Sequence, residues 1–343
     1  LQEKFKFAKK ILNPNRNCAI LPRRVILSDL IKKYWFFIGL LLVFVVTVAD
    51  VSGTVSSIGR RFKMHRGPDA VIVLIFFFSG LILNVRQIRS GMMDIKVIIA
   101  ALIIIFLVAP LVGMLFGTLP IDTGMVIGIF LVAVMPTTLS SGVVMTGAAG
   151  GNMAQALAIT ILANGLAVFT IPLVLSLLLN LVGGSTVIVI DSFAIMIKLG
   201  FYVFLPLCLG LAIKMFTESF TNRFVHGLQI LNQFLVLAIV WMAMSQARDA
   251  IVSGGASVGV ILLLVFSFHA ILLAAAAILI GCLKLGKGRR ESVIFMGGQK
   301  TLPLSIILQV SLFPQFGLAL VVCVLHHMVH LLMDGYLVGR LRA

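Results

Sequence analysis

Two stretches, Met135-Pro136-Thr137-Thr138-Leu139-Ser140-Ser141-Gly142 and Gly297-Gly298-Gln299-Lys300-Thr301-Leu302-Pro303, each interrupt a long apolar run. Proline removes an amide donor and clashes with the preceding turn, so each stretch frees backbone carbonyls and amides. In hydrocarbon such groups are costly unless protein or cavity water satisfies them. Thr137, Thr138, Ser140, Ser141, Gln299 and Thr301 supply hydroxyls and an amide at those points. A single break of this kind reads as a kink whose Ser and Thr bond back to their own helix. Two breaks at matching places in two halves of one chain point instead to paired discontinuous helices, the sequence mark of a secondary-transport site.

The sequence around them belongs in a membrane. Of 343 residues, 61% are apolar and 11% charged, and the mean hydropathy is +1.17. Soluble domains hold about 45–50% apolar and about 25% charged residues, so an ordinary globular enzyme is excluded. Apolar runs occupy roughly 34–52, 69–86, 96–117, 122–149, 152–181, 191–215, 227–247, 256–283, 291–312 and 315–339. Each approaches or exceeds the roughly 20 residues a membrane helix needs. The expected fold is an all-α polytopic membrane protein of ten transmembrane helices, with the breaks in spans 4 and 9. Residues 1–33 read as a basic cytoplasmic arm, 34–182 as a first five-helix repeat and 191–343 as a second. Five is odd, so the two halves are expected to lie in opposite orientation, a 5+5 inverted repeat whose interrupted helices cross. Within the arm, Ser28-Asp29 is placed to cap a short helix running into the first span.

Charge sets the expected orientation. The chain carries 27 Lys and Arg against 11 Asp and Glu, a formal +16. Such a balance suits nucleic acid or an anionic membrane surface, and the placement of the charges separates the two. With a cytoplasmic N-terminus, twenty basic residues fall on inside segments and five on outside loops. This bias predicts a multi-pass protein of the cell membrane with both termini cytoplasmic. The bilayer, not nucleic acid, is the expected partner. The outside cluster Arg60, Arg61, Lys63 and Arg66 goes against the bias. Residues 1–33 show no cleavable signal pattern, and the cysteine spacing suggests neither disulfides nor zinc.

Lys300 is the sharpest residue. A lysine at a span centre costs about 2.5–3.5 kcal/mol on insertion scales, and no intramembrane carboxylate lies near it in sequence. It is read as a counter-charge for an anionic substrate, a replacement for a bound cation or a titrating group. The competing role is neutralising the C-terminal end of a half-helix. Lys198, near the start of span 6, is expected to snorkel. His326 and His330 share a helix face beside His327, which is placed at the cavity, and no third metal ligand is evident. His269 reads as a core histidine, and Asp334 as the ion-pair partner of Arg340. Gln155, Thr160 and Asn164 recur on one side of span 5, lining the cavity or bonding helix to helix.

At these residues the chain resembles the bile acid:sodium symporter superfamily (solute carrier family ten), in its SBF-like branch related to the seventh member. Phe77-Phe78-Ser79-Gly80-Leu81, Pro136 to Gly142, Gly150-Gly151-Asn152, Gln299-Lys300-Thr301 and His327 carry the resemblance, in that order over roughly residues 33–340. The resemblance implies a panel domain of spans 1, 2, 6 and 7, a core domain of spans 3–5 and 8–10, and alternating access between them. Sodium-coupled members carry Glu four residues before the span 9 Gln, where this chain has Phe295. Their following Asn is Lys300, their span 4 Ser-Asn falls near Ser141-Gly142-Val143, and of their span 5 hydroxyl ligands Thr160 matches one while Ala156 replaces the other.

The expected function is therefore secondary transport of a small organic anion or amphipathic acid, without enzyme activity and without a cofactor. The substrate and ion site is expected at Thr137, Thr138, Ser140, Ser141, Thr160, Asn164, Gln299, Lys300, Thr301 and His327. Loss of the carboxylate disfavours two-sodium coupling, and a proton is the expected coupling ion. A cation/proton antiporter is the alternative, although span 5 lacks the acid pair it would need. A membrane-embedded enzyme would need a nucleophile or metal set that only the histidines hint at. A regulatory membrane protein of the calcium-handling type, a role linked to the eukaryotic branch, would leave the two breaks unexplained.

Overall fold

A computed structural model describes residues 23–83, 90–182, 190–253 and 255–342. The described elements are helices: α1 (Arg23–Val48), α2 (Thr54–Met64), α3 (Gly67–Ile82), α4 (Ile95–Gly117), α5 (Thr123–Val134), α6 (Ser141–Ala148) and α7 (Met153–Val182). They continue as α8 (Ser192–Phe216), α9 (Glu218–Ser253), α10 (Gly255–Cys282), α11 (Arg290–Gly298), α12 (Leu302–Leu312) and α13 (Gly317–Arg342). Seven are long and apolar enough to cross a membrane, with α11 and α12 counted as one, and the α2–α3 pair makes up to eight. The chain is an all-helical, multi-pass membrane protein.

The expected ten spans are not all met by length, and the reason is local. Pro136 lies just beyond α5, which ends after 12 residues, about 18 Å of helix. That is roughly half a bilayer core. Residues 135–140 then run without helix before α6 begins. The first outside loop also departs from expectation: it contains α2, bent by 76° from α3. Arg60, Arg61 and Lys63 thus sit on a short helix lying across the direction of α3, while Arg66 stands at the start of α3. Residues 1–22 of the arm and 84–86 of the second run lie outside the described residues. α1 runs unbroken through Ser28-Asp29, so no helix starts there.

Packing gathers the helices into two sets. α3 packs on α8 and α9, and α9 also on α1 and α2. In the second set α13 packs on α5 and α10, α4 on α5 and α11, and α11 on α6 and α10. α9 against α13 and α7 against α8 join the sets. Within the first set α3 and α8 meet backbone to backbone. A Cβ on Gly80 would collide with the Leu207 carbonyl oxygen, and one on Gly210 with the Phe77 carbonyl oxygen. Small residues at such a crossing let backbones touch, which is how helices associate in lipid.

Connecting segments meet in groups. At one end Arg289 clasps Asp94 through Nε and Nη2 (2.5 and 2.8 Å), and this guanidinium holds the Asp94 carboxyl below its ordinary range. The Asn152 amide donates to the Gly288 carbonyl (2.9 Å) beside it. At the other end Arg60 Nη1 donates to Ser245 O (3.2 Å). There Asp50 also accepts from the Ser56 amide (2.8 Å) and hydroxyl (2.9 Å) in the first turn of α2.

Candidate functional site: the crossing of two broken helices

The span formed by α11 and α12 is the least apolar of the long helices, yet 89% of its central window is buried. Protein covers it far more fully than the other long helices, which are 33–67% buried. This is where irregular backbone can be tolerated at membrane depth. The Thr301 amide donates to the Pro136 carbonyl (3.0 Å), so the two breaks touch backbone to backbone.

The N-terminus of α6 is served from within its own break and the C-terminus of α5 from the other. Thr138 Oγ1 accepts from the Gly142 amide (2.9 Å) and so serves the N-terminus of α6. Its hydroxyl donates to Gln299 Oε1 (2.8 Å), which also accepts from Ser141 Oγ (2.9 Å). Asn164 Nδ2 reaches across from α7 to the Thr137 carbonyl (3.2 Å) while bonding Thr160 O on its own helix (2.9 Å). Both acceptors are carbonyls, so the nitrogen must face them. The amide oxygen is thereby left over. Asn164 Oδ1 and Thr137 Oγ1 are both buried without a partner. Unsatisfied buried oxygens cost about 1–3 kcal/mol each, so two side by side set this place apart from the rest of the crossing.

Lys300 is fully engaged. Only 1% exposed, it donates from Nζ to Met135 O (2.9 Å), Ile105 O (3.1 Å) and Ala133 O (3.3 Å). Ala133 and Met135 lie at the C-terminal end of α5, where carbonyls lack intrahelical partners. Ile105 lies in the π-turn of α4, where the Ala109 amide bonds Ile104 O five residues back. Continuing that pattern, Ile105 O would need the amide of residue 110, which is proline. The ammonium supplies the missing donor. Lys300 thus takes the helix-end role weighed against the substrate role, and its positive charge remains at the crossing.

Not every residue expected at the site joins this set. Thr160 is buried, but its hydroxyl bonds back to Ala156 O (2.9 Å). Ser140 is exposed, with no side-chain capping bond. Thr301 engages through its backbone. Lys198 donates to Ser311 Oγ on α12 (2.6 Å), so it ties α8 to α12 where snorkelling was expected.

Asp334 corrects the expected ion pair. It is wholly buried, accepting from Gln299 Nε2 (2.8 Å) and His269 Nε2 (3.0 Å), whereas Arg340 donates from Nε to Tyr336 Oη (3.0 Å). A carboxylate therefore does stand beside the second break, supplied by α13 from a distance in sequence. His330 Nδ1 lies 4.0 Å from Asp334 Oδ2, and His330 Nε2 is 2.9 Å from His327 Nδ1. One signal could have found it: His326, His327 and His330 precede Asp334 at helical spacing, on one face of an apolar run.

With this geometry established, likeness to known proteins can be read against it. The chain is 28% identical over 280 residues to a chloroplastic protein of Arabidopsis thaliana named as a probable sodium/metabolite cotransporter, BASS4 (77% of this chain, 64% of that protein). It is 27% identical over 220 residues to sodium/bile acid cotransporter 7-A of Xenopus laevis, covering 63% of this chain and 62% of that one. It is 25% identical over 282 residues to YfeH of Escherichia coli K12, provisionally named a symporter (79% and 82%). The chain thus spans less than two-thirds of the length of the first two. The model of a family of transporters, not enzymes, matches residues 34–343. The chain belongs to the SBF-like CPA transporter family.

Proposed function

We propose that this protein is a secondary transporter for a small organic anion or amphipathic acid, and that the crossing of the two breaks is its substrate site. In this reading ten spans form two opposed five-helix repeats. The α1–α3, α8 and α9 set is the panel, and the remaining helices are the core that moves against it. The observation that carries the reading is the crossing itself: two broken helices bonded through Thr301 and Pro136, with the unpaired Thr137 hydroxyl able to donate to a carboxylate and the unpaired Asn164 Oδ1 able to accept from a hydroxyl of the same solute. Lys300 gives the crossing a fixed positive charge, and the field of a buried cation favours an anion. The relatives named as cotransporters of sodium with metabolites or bile acids support a small solute, with a proton proposed in place of sodium. The binding residues proposed are Thr137, Thr138, Ser141, Asn164 and Gln299, with Lys300 acting through its charge and His327 flanking them. Thr301 supports the first break through its backbone, and Ser140 and Thr160 flank the site without joining it.

The test is a thermal-stability screen of the purified protein against organic carboxylates and sulfonates, over a range of pH and with or without sodium. A ligand at a hundred times its dissociation constant adds about 2.7 kcal/mol. Stabilisation by an organic anion without sodium, lost in Asn164→Leu, is the expected result. Stabilisation by sodium alone, with no response to any anion, would overturn the reading in favour of a cation carrier.

A further inference from the structure

Beyond the substrate oxygens, α10 and α13 enclose a second polar group in the membrane. Asp334, His269 and His330 are wholly buried, His326 is 1% exposed and His327 5%. The rings touch in sequence, with centroids 5.7 Å apart for His269 and His330 and 4.6 Å for His327 and His330. Hydrogen bonds link His269 to Asp334 and His330 to His327, and a 4.0 Å approach joins the two pairs. His269 Nδ1, His330 Nδ1 and His326 Nε2 are buried without partners. Among the described residues, no three of these groups are arranged about a common point as metal ligands would be. What they share is the capacity to take up a proton.

We propose that Asp334, His269 and the His327–His330 pair form a proton-binding site wired to the transport crossing through Gln299. The charge arithmetic favours a single proton. With neutral imidazoles the group carries one negative charge, contributed by Asp334. One proton, on the carboxylate or on an imidazole, brings it to zero. A second would leave a net positive charge in a dry interior, a costly state. Lys300 faces the same cluster, its backbone carbonyl beside the His327 and His330 rings, but its ammonium is committed to Ile105, Ala133 and Met135. α5, α6 and α12 bring no charged group to the cluster. On α11, Arg290 and Glu291 lie at the far end and pair with each other (3.0 Å). On α9, Arg248 pairs with Asp249 (3.3 Å).

Gln299 connects proton and substrate. Its Nε2 donates to Asp334, while its Oε1 accepts from Thr138 and Ser141. Protonating Asp334 weakens an acceptor for the first bond and leaves the Lys300 charge at the crossing uncompensated. An anion entering beside that charge restores neutrality. Proton and anion therefore favour each other's binding, and linkage requires the effect to be mutual. The inference rests on the transporter reading only for what the proton is coupled to. The site itself is testable without a substrate.

Full-length protein in lipid is moved from alkaline to acid buffer, and proton uptake is counted with a pH-indicator dye. Wild type is expected to take up about one proton more than Asp334→Asn, with Asp334→Glu restoring the difference. His269→Gln and His330→Gln should shift the midpoint of that uptake. Equal uptake by wild type and a monodisperse Asp334→Asn would overturn the site whether or not an anion is carried. An intact uptake step with no anion binding at any pH would overturn the transporter reading and leave the site standing.

Discussion

Replacing Lys300 with methionine separates its two roles, because methionine keeps the apolar stem and removes only the ammonium. Three carbonyls lose their donor: Ile105 O, Ala133 O and Met135 O, now at 3.1, 3.3 and 2.9 Å. Each buried carbonyl left unpaired costs about 1–3 kcal/mol, so the three together cost roughly 3–9 kcal/mol. Against this stands the relief of no longer desolvating an ammonium, which is worth several kcal/mol. The expected net loss is about 3 kcal/mol, in line with the roughly 3–5 kcal/mol lost when a buried charge is separated from its partners. The assay is unfolding in mixed micelles by a denaturing detergent, followed by helical circular dichroism without any ligand. The proline in α4 provides an internal check. Pro110→Ala restores an amide that can serve Ile105 O, so Lys300→Met should cost about 1 kcal/mol less in that background. If Lys300→Met were as stable as wild type to within about 0.5 kcal/mol, the carbonyls would not depend on the ammonium. Lys300 would then be a counter-charge alone, and the account of the α5 end would fail.

Other consequences are simpler to read. Gly210→Ala places a methyl group against the Phe77 carbonyl at the α3–α8 crossing; it should cost about 1–3 kcal/mol in the same assay, whereas Gly259→Ala, with open space around it, should cost almost nothing. Asp50 is held down to about 2 chiefly by the Ser56 backbone amide, helped by the Ser52 and Ser56 hydroxyls. Because its folded value is depressed, its support of the α2 start is complete above the ordinary carboxylate value of about 3.9. That support disappears as pH falls toward 2, which amide exchange at Ser56 should show in wild type and not in Asp50→Asn.

How much of this was legible depended on whether a residue's partners lay on its own helix. Apolar runs announce helices because length and hydropathy are local properties, and the runs ending at 117, 181 and 283 stop within a residue of α4, α7 and α10. The breaks were legible for the same reason, since proline acts on its own turn. That Thr301 meets Pro136 was only an expectation from their symmetry, and their contact spans the two halves of the chain. Thr160 was expected at the site because it shares a face with Asn164 and matches a span 5 hydroxyl of the resembled family, yet its neighbour across one turn already satisfies it. The basic cluster at 60–66 was read as a loop, whereas Arg60, Arg61 and Lys63 lie on α2.

Asp334 shows the limit most clearly. In sequence it stands six residues before Arg340, and a surface pair was the economical reading. In the fold it is sealed between α10 and the second break, where a carboxylate is tolerated only because His269 and Gln299 donate to it. Lys300 is tolerated for the complementary reason: one proline and one broken helix end leave carbonyls that need a donor. The two opposite charges are thus held by separate sets of neutral groups and not by each other, with the Gln299 amide between them. A direct ion pair would be self-satisfied and inert. On the transporter reading proposed above, charges supported separately can each change partner, one gaining a proton and the other facing a solute, as a coupled carrier requires.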